Sequence, residues 1–144
     1  MAIRSLNLES LGLNAPLSHA VEVDASDRLL FISGLTAKNA DGSTYAPGDM
    51  GAQTTRILES IEELLGRAGG SVANIVKLTV YVCDMGRVGE VTAARSRFFK
   101  APFPASTMFE VARLVSSDQL VEIEAVAALP GTGTSHGTAY SSAN

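Results

Sequence analysis

Residues 49–82, DMGAQTTRILESIEELLGRAGGSVANIVKLTVYV, decide the fold because their hydrophobic period changes once, from that of a helix to that of a strand. After Asp49, a predicted N-cap, the apolar residues recur at three- and four-residue steps, which predicts an amphipathic helix. Gly69-Gly70 ends this helix in the position of a left-handed C-cap. Residues 75–82 then alternate, which predicts a strand with one buried face. The other face of the helix is expected to be solvated; it carries Gln53, Arg56, Glu59, Glu62, Glu63 and Arg67.

The segments on either side continue with short strands and a second helix. Upstream, residues 20–23 and 28–33 are β-type runs separated by the turn-forming Asp24-Ala-Ser-Asp27, which predicts a hairpin. Downstream, Pro102 and Pro104 end a second amphipathic pattern, because proline does not continue a helix. Residues 108–114 and 120–129 are predicted strands. The second helix is marked by Val88, Val91, Ala94, Phe98 and Phe99.

The resulting order, β-β-α-β-α-β-β, predicts an α+β fold with two helices on one face of a sheet. The opposite sheet face then meets either water or another subunit, and oligomers of this kind form pockets between protomers. That face is predicted to carry Lys77, Thr79, Tyr81, Glu122, Glu124 and Val126.

Length and composition indicate one globular domain. The chain has 144 residues, of which 46% are apolar and 18% charged. We expect a single domain over residues 1–129, followed by a mobile Gly-, Ser- and Thr-rich tail over residues 130–144. No apolar run approaches the roughly 18 residues of a membrane span. The first 14 residues lack a signal-peptide core, so the expected location is the cytoplasm.

Charge and cysteine content exclude several function classes. The net charge of −4 disfavours nucleic acid as a partner, since polyanions are repelled on average. One cysteine, Cys83, forms no internal disulfide, and two histidines provide no plausible zinc set. The nucleotide-binding motifs GxxxxGK[ST] and GxGxxG are absent.

Glu122 and Glu124 form a pair of carboxylates two residues apart on a predicted strand. They project from one face about 6.5–7 Å apart, a separation that suits acid–base work, although the spacing alone favours a solvated strand face. Ser33-Gly34 ends a predicted strand, where glycine permits close approach of a ligand or forms a bulge.

Other polar residues are predicted to be structural. His19 is expected to be a structural histidine whose ring nitrogens have hydrogen-bond partners. Cys83 is expected to be a partly buried, inert thiol. Arg95 and Arg97 are assigned to the exposed side of the second helix. Arg113 lies inside a predicted strand, where a salt bridge is expected.

Five segments together resemble the YjgF/RidA family of reactive-intermediate deaminases, over about residues 15–129. They are FISG at 31–34, DMGAQT at 49–54, IVKLTVYVCDM at 75–85, FPASTMFEVARL at 103–114 and VEIEA at 121–125. The resemblance implies a chorismate-mutase-like fold and a homotrimer with a cleft at each subunit interface. It also implies hydrolysis of small-molecule imines or enamines without a cofactor or metal.

The resemblance also assigns site residues. The glutamate expected to position or activate water matches Glu122, and Ser33 and Gly34 are retained. The family motif PARS reads Pro104-Ala-Ser-Thr107 here, so Ser106 replaces the arginine that binds the substrate carboxylate. The predicted substrate-binding residues are Leu17, Ser33, Gly34, Thr92, Ser106, Thr107 and Met108. Among them, Leu17 replaces the pocket tyrosine of the family, and Thr92 replaces an asparagine.

Two functions fit this pattern. In the first, Glu122 hydrolyses an imine, enamine or related intermediate other than a simple α-imino acid, because a serine hydroxyl cannot replace a bidentate cation. In the second, the protein is a catalytically lapsed trimeric ligand-binding or interaction module. A ribonuclease, an activity attributed to some relatives, is disfavoured by the acidic charge balance.

Overall fold

The fold was analysed in a computed structural model, which describes residues 3–12 and 15–131. Short 3₁₀ turns occur at Glu9–Leu11, Val72–Asn74 and Met85–Arg87. The regular elements in chain order are β1 (Arg4–Leu6), β2 (Ala20–Glu22), β3 (Arg28–Thr36), α1 (Met50–Arg67), β4 (Ile75–Val82), α2 (Val88–Arg95), β5 (Ala105–Glu110) and β6 (Val121–Leu129).

The boundaries of α1 are set by the residues that the sequence indicated. The Asp49 carboxylate accepts a hydrogen bond from the Ala52 N–H at 2.9 Å, so it caps the first turn. At the other end Gly69 has a φ of +83°, and the Gly70 N–H donates to the Leu65 carbonyl at 2.8 Å. A left-handed glycine therefore closes the helix, as predicted.

Strands β3, β6, β4 and β5 form one mixed sheet in that order, and both helices lie on one of its faces. β4 is parallel to β5 and antiparallel to β6, while β3 is antiparallel to β6. Alternate residues of β4 are buried beneath the helices, among them Leu78 and Val80. The predicted α+β class, with two helices on one face of a mixed sheet, is confirmed.

The predicted hairpin between residues 20–23 and 28–33 is wrong. The turn exists, because the Asp27 N–H donates to the Asp24 carbonyl at 3.0 Å. However, β2 pairs with β1 in a separate two-stranded sheet, and β3 pairs with β6. Short-range turn chemistry indicated the reversal of the chain, but the strand pairing follows from long-range burial of β3 against β6 and α1.

The strand predicted at 108–114 lies earlier, at Ala105–Glu110. Its parallel register with β4 begins directly after Pro104, whose missing N–H suits a strand start. Arg113 consequently lies outside the strand and is exposed. Its guanidinium donates to the Leu114 and Val115 carbonyls, both at 3.2 Å, and not to a carboxylate, so the expected salt bridge is absent from the described structure.

Two polar side chains predicted to face solvent are buried. Gln53 is fully buried on α1, and Arg95 is buried on α2, whereas Arg97 is exposed as expected. The Gln53 amide donates to the Asp118 carbonyl at 2.9 Å and accepts from the Leu120 N–H at 2.9 Å. It is buried because it satisfies backbone groups that the core would otherwise leave unpaired.

The single domain over residues 1–129 stays a prediction. The predicted tail lies outside the described residues except for Pro130 and Gly131. Within residues 3–12 and 15–131, no helix has both the length and the apolar character needed to span a membrane.

Candidate functional site

The sheet face opposite the helices, called the open face, carries a mixture of polar and apolar side chains. Strand register places together on it Phe31, Lys77, Thr79, Tyr81, Thr107, Phe109, Glu122, Glu124 and Val126. A shallow cavity of about 360 Å³ opens here, bordered by Ser33, Lys77 and Glu124 among others. The side chains predicted for this face from the alternation of β4 and β6 are therefore found together.

A β-bulge at Ser33-Gly34 places the backbone of β3 against Glu122. Ile32 pairs with Ala125 and Leu35 with Ile123, so β3 carries one residue more than β6 between these pairs. A Cβ on Gly34 would lie 3.0 Å from Cδ and 3.1 Å from Oε1 of Glu122. Glycine at this position leaves the carboxyl group the space that a side chain would take. A bulge was one of the predicted meanings of Ser33-Gly34 and is confirmed, but the predicted strand end at this position is wrong, since β3 continues to Thr36.

The Glu122 carboxylate makes no hydrogen bond or ion pair to another residue within the described ranges. It is half-buried, and in register it lies between Thr36 of β3 and Tyr81 of β4. Its oxygens are therefore not committed to structure. A carboxyl group with this freedom accepts a proton from water when it is ionised and then passes that proton to a bound molecule.

Glu124 has a different role, because its Oε1 accepts a hydrogen bond from the Tyr81 hydroxyl at 2.7 Å. This hydrogen bond raises the pKa of Tyr81 above its usual 10.0, with smaller contributions from desolvation and from the negative charges of Glu124 and Glu122. The Tyr81 ring also stacks on Phe109, with centroids 6.1 Å apart. The two glutamates thus share a face but differ in environment.

The strand β5 carries the segment that contains Ser106, Thr107 and Met108. Ser106 pairs with buried Leu78 and therefore points toward the helices, while Met108 packs against the core. Thr107 points to the open face, where its hydroxyl accepts a hydrogen bond from Lys77 Nζ at 2.7 Å.

Leu17 lies at the outer edge of β5. The next residue, Ser18, forms a parallel bridge with Ala105, and its N–H donates to the Pro104 carbonyl at 3.0 Å. Leu17 is half-buried beside the start of the strand that carries Ser106. Thr92 is exposed on α2, in the helical layer.

The structure divides the predicted site residues into two walls. Ser33, Gly34 and Glu122 form the inner wall, on β3 and β6. Leu17, Thr92 and Ser106 form the outer wall, around β5 and α2. Because β6 and β5 are separated by β4, the walls are roughly 10 Å or more apart in one chain. One copy therefore does not enclose a cleft between them.

His19 and Cys83 have the structural surroundings predicted for them. His19 Nδ1 accepts a hydrogen bond from the Leu8 N–H at 2.9 Å, and Cys83 is half-buried with its Sγ 3.5 Å from the Gln119 carbonyl. Within the described residues, no cluster of three or more His, Cys, Asp and Glu side chains is arranged to hold a metal ion.

Sequence reasoning missed Arg95, and a signal for it was present. Four residues after Val91 and three before Phe98, it falls at the spacing of the apolar side of α2. Only the charge of its side chain argued for exposure.

Comparisons with known proteins agree on one family. The family model described as Endoribonuclease L-PSP matches residues 9–129. The RutC family protein UK114 of Drosophila melanogaster is 35% identical over 113 residues, 78% of this chain and 79% of that protein. The 2-iminobutanoate/2-iminopropanoate deaminase of Mus musculus is 34% identical over 112 residues, 78% of this chain and 80% of that protein.

Solved structures show the same similarity. The crystal structure of YyfB from Yersinia pestis, a protein of the conserved Rid family, is 34% identical with a TM-score of 0.80. The match covers 90% of this chain and 100% of that one. The structural neighbours have the YjgF/RidA fold, which is chorismate-mutase-like, so this part of the fold prediction is confirmed.

Proposed function

The chain belongs to the YjgF/RidA family, and on this premise we propose that it is a cofactor-independent hydrolase that deaminates small imines or enamines. The observation that carries the proposal is the Glu122 carboxyl group, held against Gly34 in the β3 bulge without a hydrogen-bonding partner among the described residues. The family resemblance assigns the water-activating role to this same position.

The chemistry requires only water and one group that moves protons. The water oxygen attacks the C=N carbon while Glu122 takes a water proton and passes it to the nitrogen. In the resulting carbinolamine, the hydroxyl proton moves to the amino group through the same carboxyl. The C–N bond then breaks, which releases ammonia and leaves a ketone. Glu122 ends in its starting protonation state, so no cofactor is consumed.

A homotrimer would complete the cleft, because the inner and outer walls lie on different parts of the sheet. In a cyclic assembly the inner wall of one copy faces the outer wall of the next. The exposed apolar side chains of the open face support such an assembly. They include Phe31, which is 73% exposed, Leu29 and Phe109. We place this assembly in the cytoplasm, because a chain with a single cysteine forms no internal disulfide and suits a reducing compartment.

The proposed substrate is not a simple α-imino acid. Ser106 stands where the family arginine binds the α-carboxylate, and its hydroxyl provides neither the charge nor the bidentate geometry of a guanidinium. The substrate is therefore an imine or enamine that is recognised in another way. The net charge of −4 disfavours RNA as a substrate despite the name of the family model.

The test compares ammonia release from imines that are formed in situ by amino-acid and amine oxidases. We expect Glu122→Gln to lose about 10²–10⁴-fold in rate, the usual contribution of a positioned proton-transfer group. Glu124→Gln is the comparison on the same strand face. Its loss should be at least about tenfold smaller, because Glu124 already accepts a hydrogen bond from Tyr81.

Equal turnover by wild type and Glu122→Gln would overturn the assigned role. Absence of turnover for every imine tested would favour the second function, a catalytically lapsed ligand-binding module. The replacement of the family arginine by Ser106 is the observation that favours that alternative.

A further inference from the structure

Arg95 is a buried cation on α2. The residue is 8% exposed, and its Nε is buried without a hydrogen bond to any residue that the structure describes. Within residues 3–12 and 15–131 its guanidinium makes no ion pair or hydrogen bond, and its one contact of note is with the Phe99 ring, 5.9 Å from Cζ to the centroid. Among the described residues, the guanidinium therefore has no anionic or hydrogen-bonding partner.

Such an arrangement is unfavourable in the isolated chain. Burial removes water from the guanidinium and lowers the pKa of Arg95 from its usual value, and no carboxylate of the described part of the chain compensates. A buried arginine of this kind is stabilised when an anion arrives, because a carboxylate accepts two parallel hydrogen bonds from the planar fork.

The geometry of α2 places Arg95 on the side that faces away from α1. Ala93 borders the groove between the two helices, and a helix turns about 100° per residue, so Arg95 projects about 200° away from it. α1 packs over β6 and β3. The side of α2 away from α1 therefore faces the β5 edge.

Two further observations place Arg95 beside the outer wall. Thr92 precedes it by three residues and so lies on the same side of α2. Phe99, over which the guanidinium stacks, borders a cavity of about 220 Å³ together with Pro104, the residue before β5. Ser106 points toward the helices from that strand. Arg95 and Thr92 of α2 thus lie on the side of the helical layer that is nearer to β5, the strand from which Ser106 points toward the helices.

We propose that Arg95 binds the carboxylate of the substrate at this side of α2 and so supplies the cation that Ser106 cannot. The inference rests on the proposed function for the identity of the cleft. The family arginine corresponds to position 106 on β5, whereas Arg95 is on α2. The carboxylate is therefore held beside the helix and not beside the strand. A substrate whose carboxylate is several bonds from the C=N carbon fits this position better than an α-imino acid.

Binding of ketone products tests the proposal without catalysis. Calorimetric titration would use three related probes: 4-oxopentanoate, with a distant carboxylate, 2-oxobutanoate, with an adjacent one, and uncharged pentan-2-one. We expect the wild type to bind 4-oxopentanoate at least about tenfold more tightly than pentan-2-one, and Arg95→Met to lose this difference. Arg97→Met, an exposed arginine two residues away, should behave as wild type. Preference for 2-oxobutanoate that also depends on Arg95 would support the anchor but contradict the position of the carboxylate.

Stability separates a binding role from a structural one. If Arg95 binds a ligand and does not stabilise the free protein, Arg95→Met should have an unchanged or higher melting temperature, because the substitution removes an unpaired buried charge. A lower melting temperature or dissociation of the assembly would show that Arg95 is structural and would overturn the proposal. Arg95→Lys keeps the positive charge but loses the planar guanidinium that donates two parallel hydrogen bonds. This variant should fold normally and bind 4-oxopentanoate several-fold more weakly than the wild type.

Glu122→Gln distinguishes failure of this inference from failure of the proposed function. The variant should still prefer 4-oxopentanoate to pentan-2-one, because this preference is assigned to Arg95. If it also hydrolyses imines normally, the proposed function fails while the Arg95 anchor stands. If Arg95→Met binds all three probes as the wild type does, the anchor fails while the role of Glu122 is untouched.

Discussion

At the scale of single residues, the size of residue 34 sets the position of the Glu122 carboxyl group. The two groups are so close that an added methyl would lie 3.0 Å from Glu122 Cδ. This contact is with the end of a flexible side chain, so the carboxylate moves aside and the fold does not. Gly34 therefore affects the site more than it affects stability.

Gly34→Ala should lower imine hydrolysis about 10–10²-fold, because catalysis is sensitive to displacements of about 1 Å. Its unfolding free energy should change by less than about 1 kcal/mol, as for a partly exposed bulge. Gly66→Ala on α1 is the control, since the added methyl has no neighbouring atom within 4 Å among the described residues outside its own helix turn. Steady-state kinetics and urea denaturation measure both effects. Full activity of Gly34→Ala would show that the contact does not position Glu122.

The Tyr81–Glu124 hydrogen bond gives a pH-dependent signal. Because the pKa of Tyr81 is raised above 10.0 in the folded state, the hydrogen bond stabilises the fold below pH 10. This contribution is lost as the pH rises through the raised pKa. Absorbance titration near 295 nm should show one tyrosine that ionises above pH 10.0, absent in Tyr81→Phe and shifted down in Glu124→Gln. An identical titration curve for Glu124→Gln would contradict the assignment.

At the scale of elements, the sequence predicts α1 and β4 well because their own residues determine them. The Asp49 cap, Gly69 and the alternation of β4 are local signals. β5 was displaced because its bounds depend on parallel register with β4, which no local pattern reports. The pairing of β2 with β1 likewise depends on contacts far apart in sequence.

Gln53 shows how a polar residue on an element is buried when it joins two parts of the chain. Gln53→Ala leaves the Asp118 carbonyl and the Leu120 N–H without the partners they have in the core. We expect a loss of about 2–4 kcal/mol in unfolding free energy, measured by urea denaturation. Glu63→Ala on the same helix breaks an exposed pair with Arg67 and should cost at most about 0.5 kcal/mol. Equal losses would rule out this role of the Gln53 amide.

At the scale of the whole molecule, the sequence predicts which candidate residues share a sheet face better than it predicts their wider arrangement. Period-two alternation placed Glu122 on the open face, and the structure has it there, while its role in a site stays a prediction. The burial of Arg95 was not predicted, because it depends on how α2 packs on the sheet. The division of the site into two walls follows from the strand order, which also requires the folded structure.

The open face gives the first test of the assembly. Phe31→Asp places a charge on a side chain that is 73% exposed in one copy and that we expect a second copy to cover. Light scattering should show a trimer for the wild type and monomers for this variant. Val115→Asp, at a position 84% exposed outside the sheet, should remain trimeric. A trimer in all three samples would exclude the region around Phe31 from the interface.

Mixing of subunits tests whether the cleft is shared. Glu122→Gln inactivates the inner wall, and Ser106→Trp blocks the outer wall, so each variant alone should be inactive. If each cleft joins the inner wall of one copy to the outer wall of the next, mixed trimers contain some clefts with both walls native. Refolding the two variants together in equal amounts should restore about a quarter of wild-type activity, because each native wall is present with a probability of about one half. A site within one chain predicts no recovery, since every chain in the mixture then carries one defect.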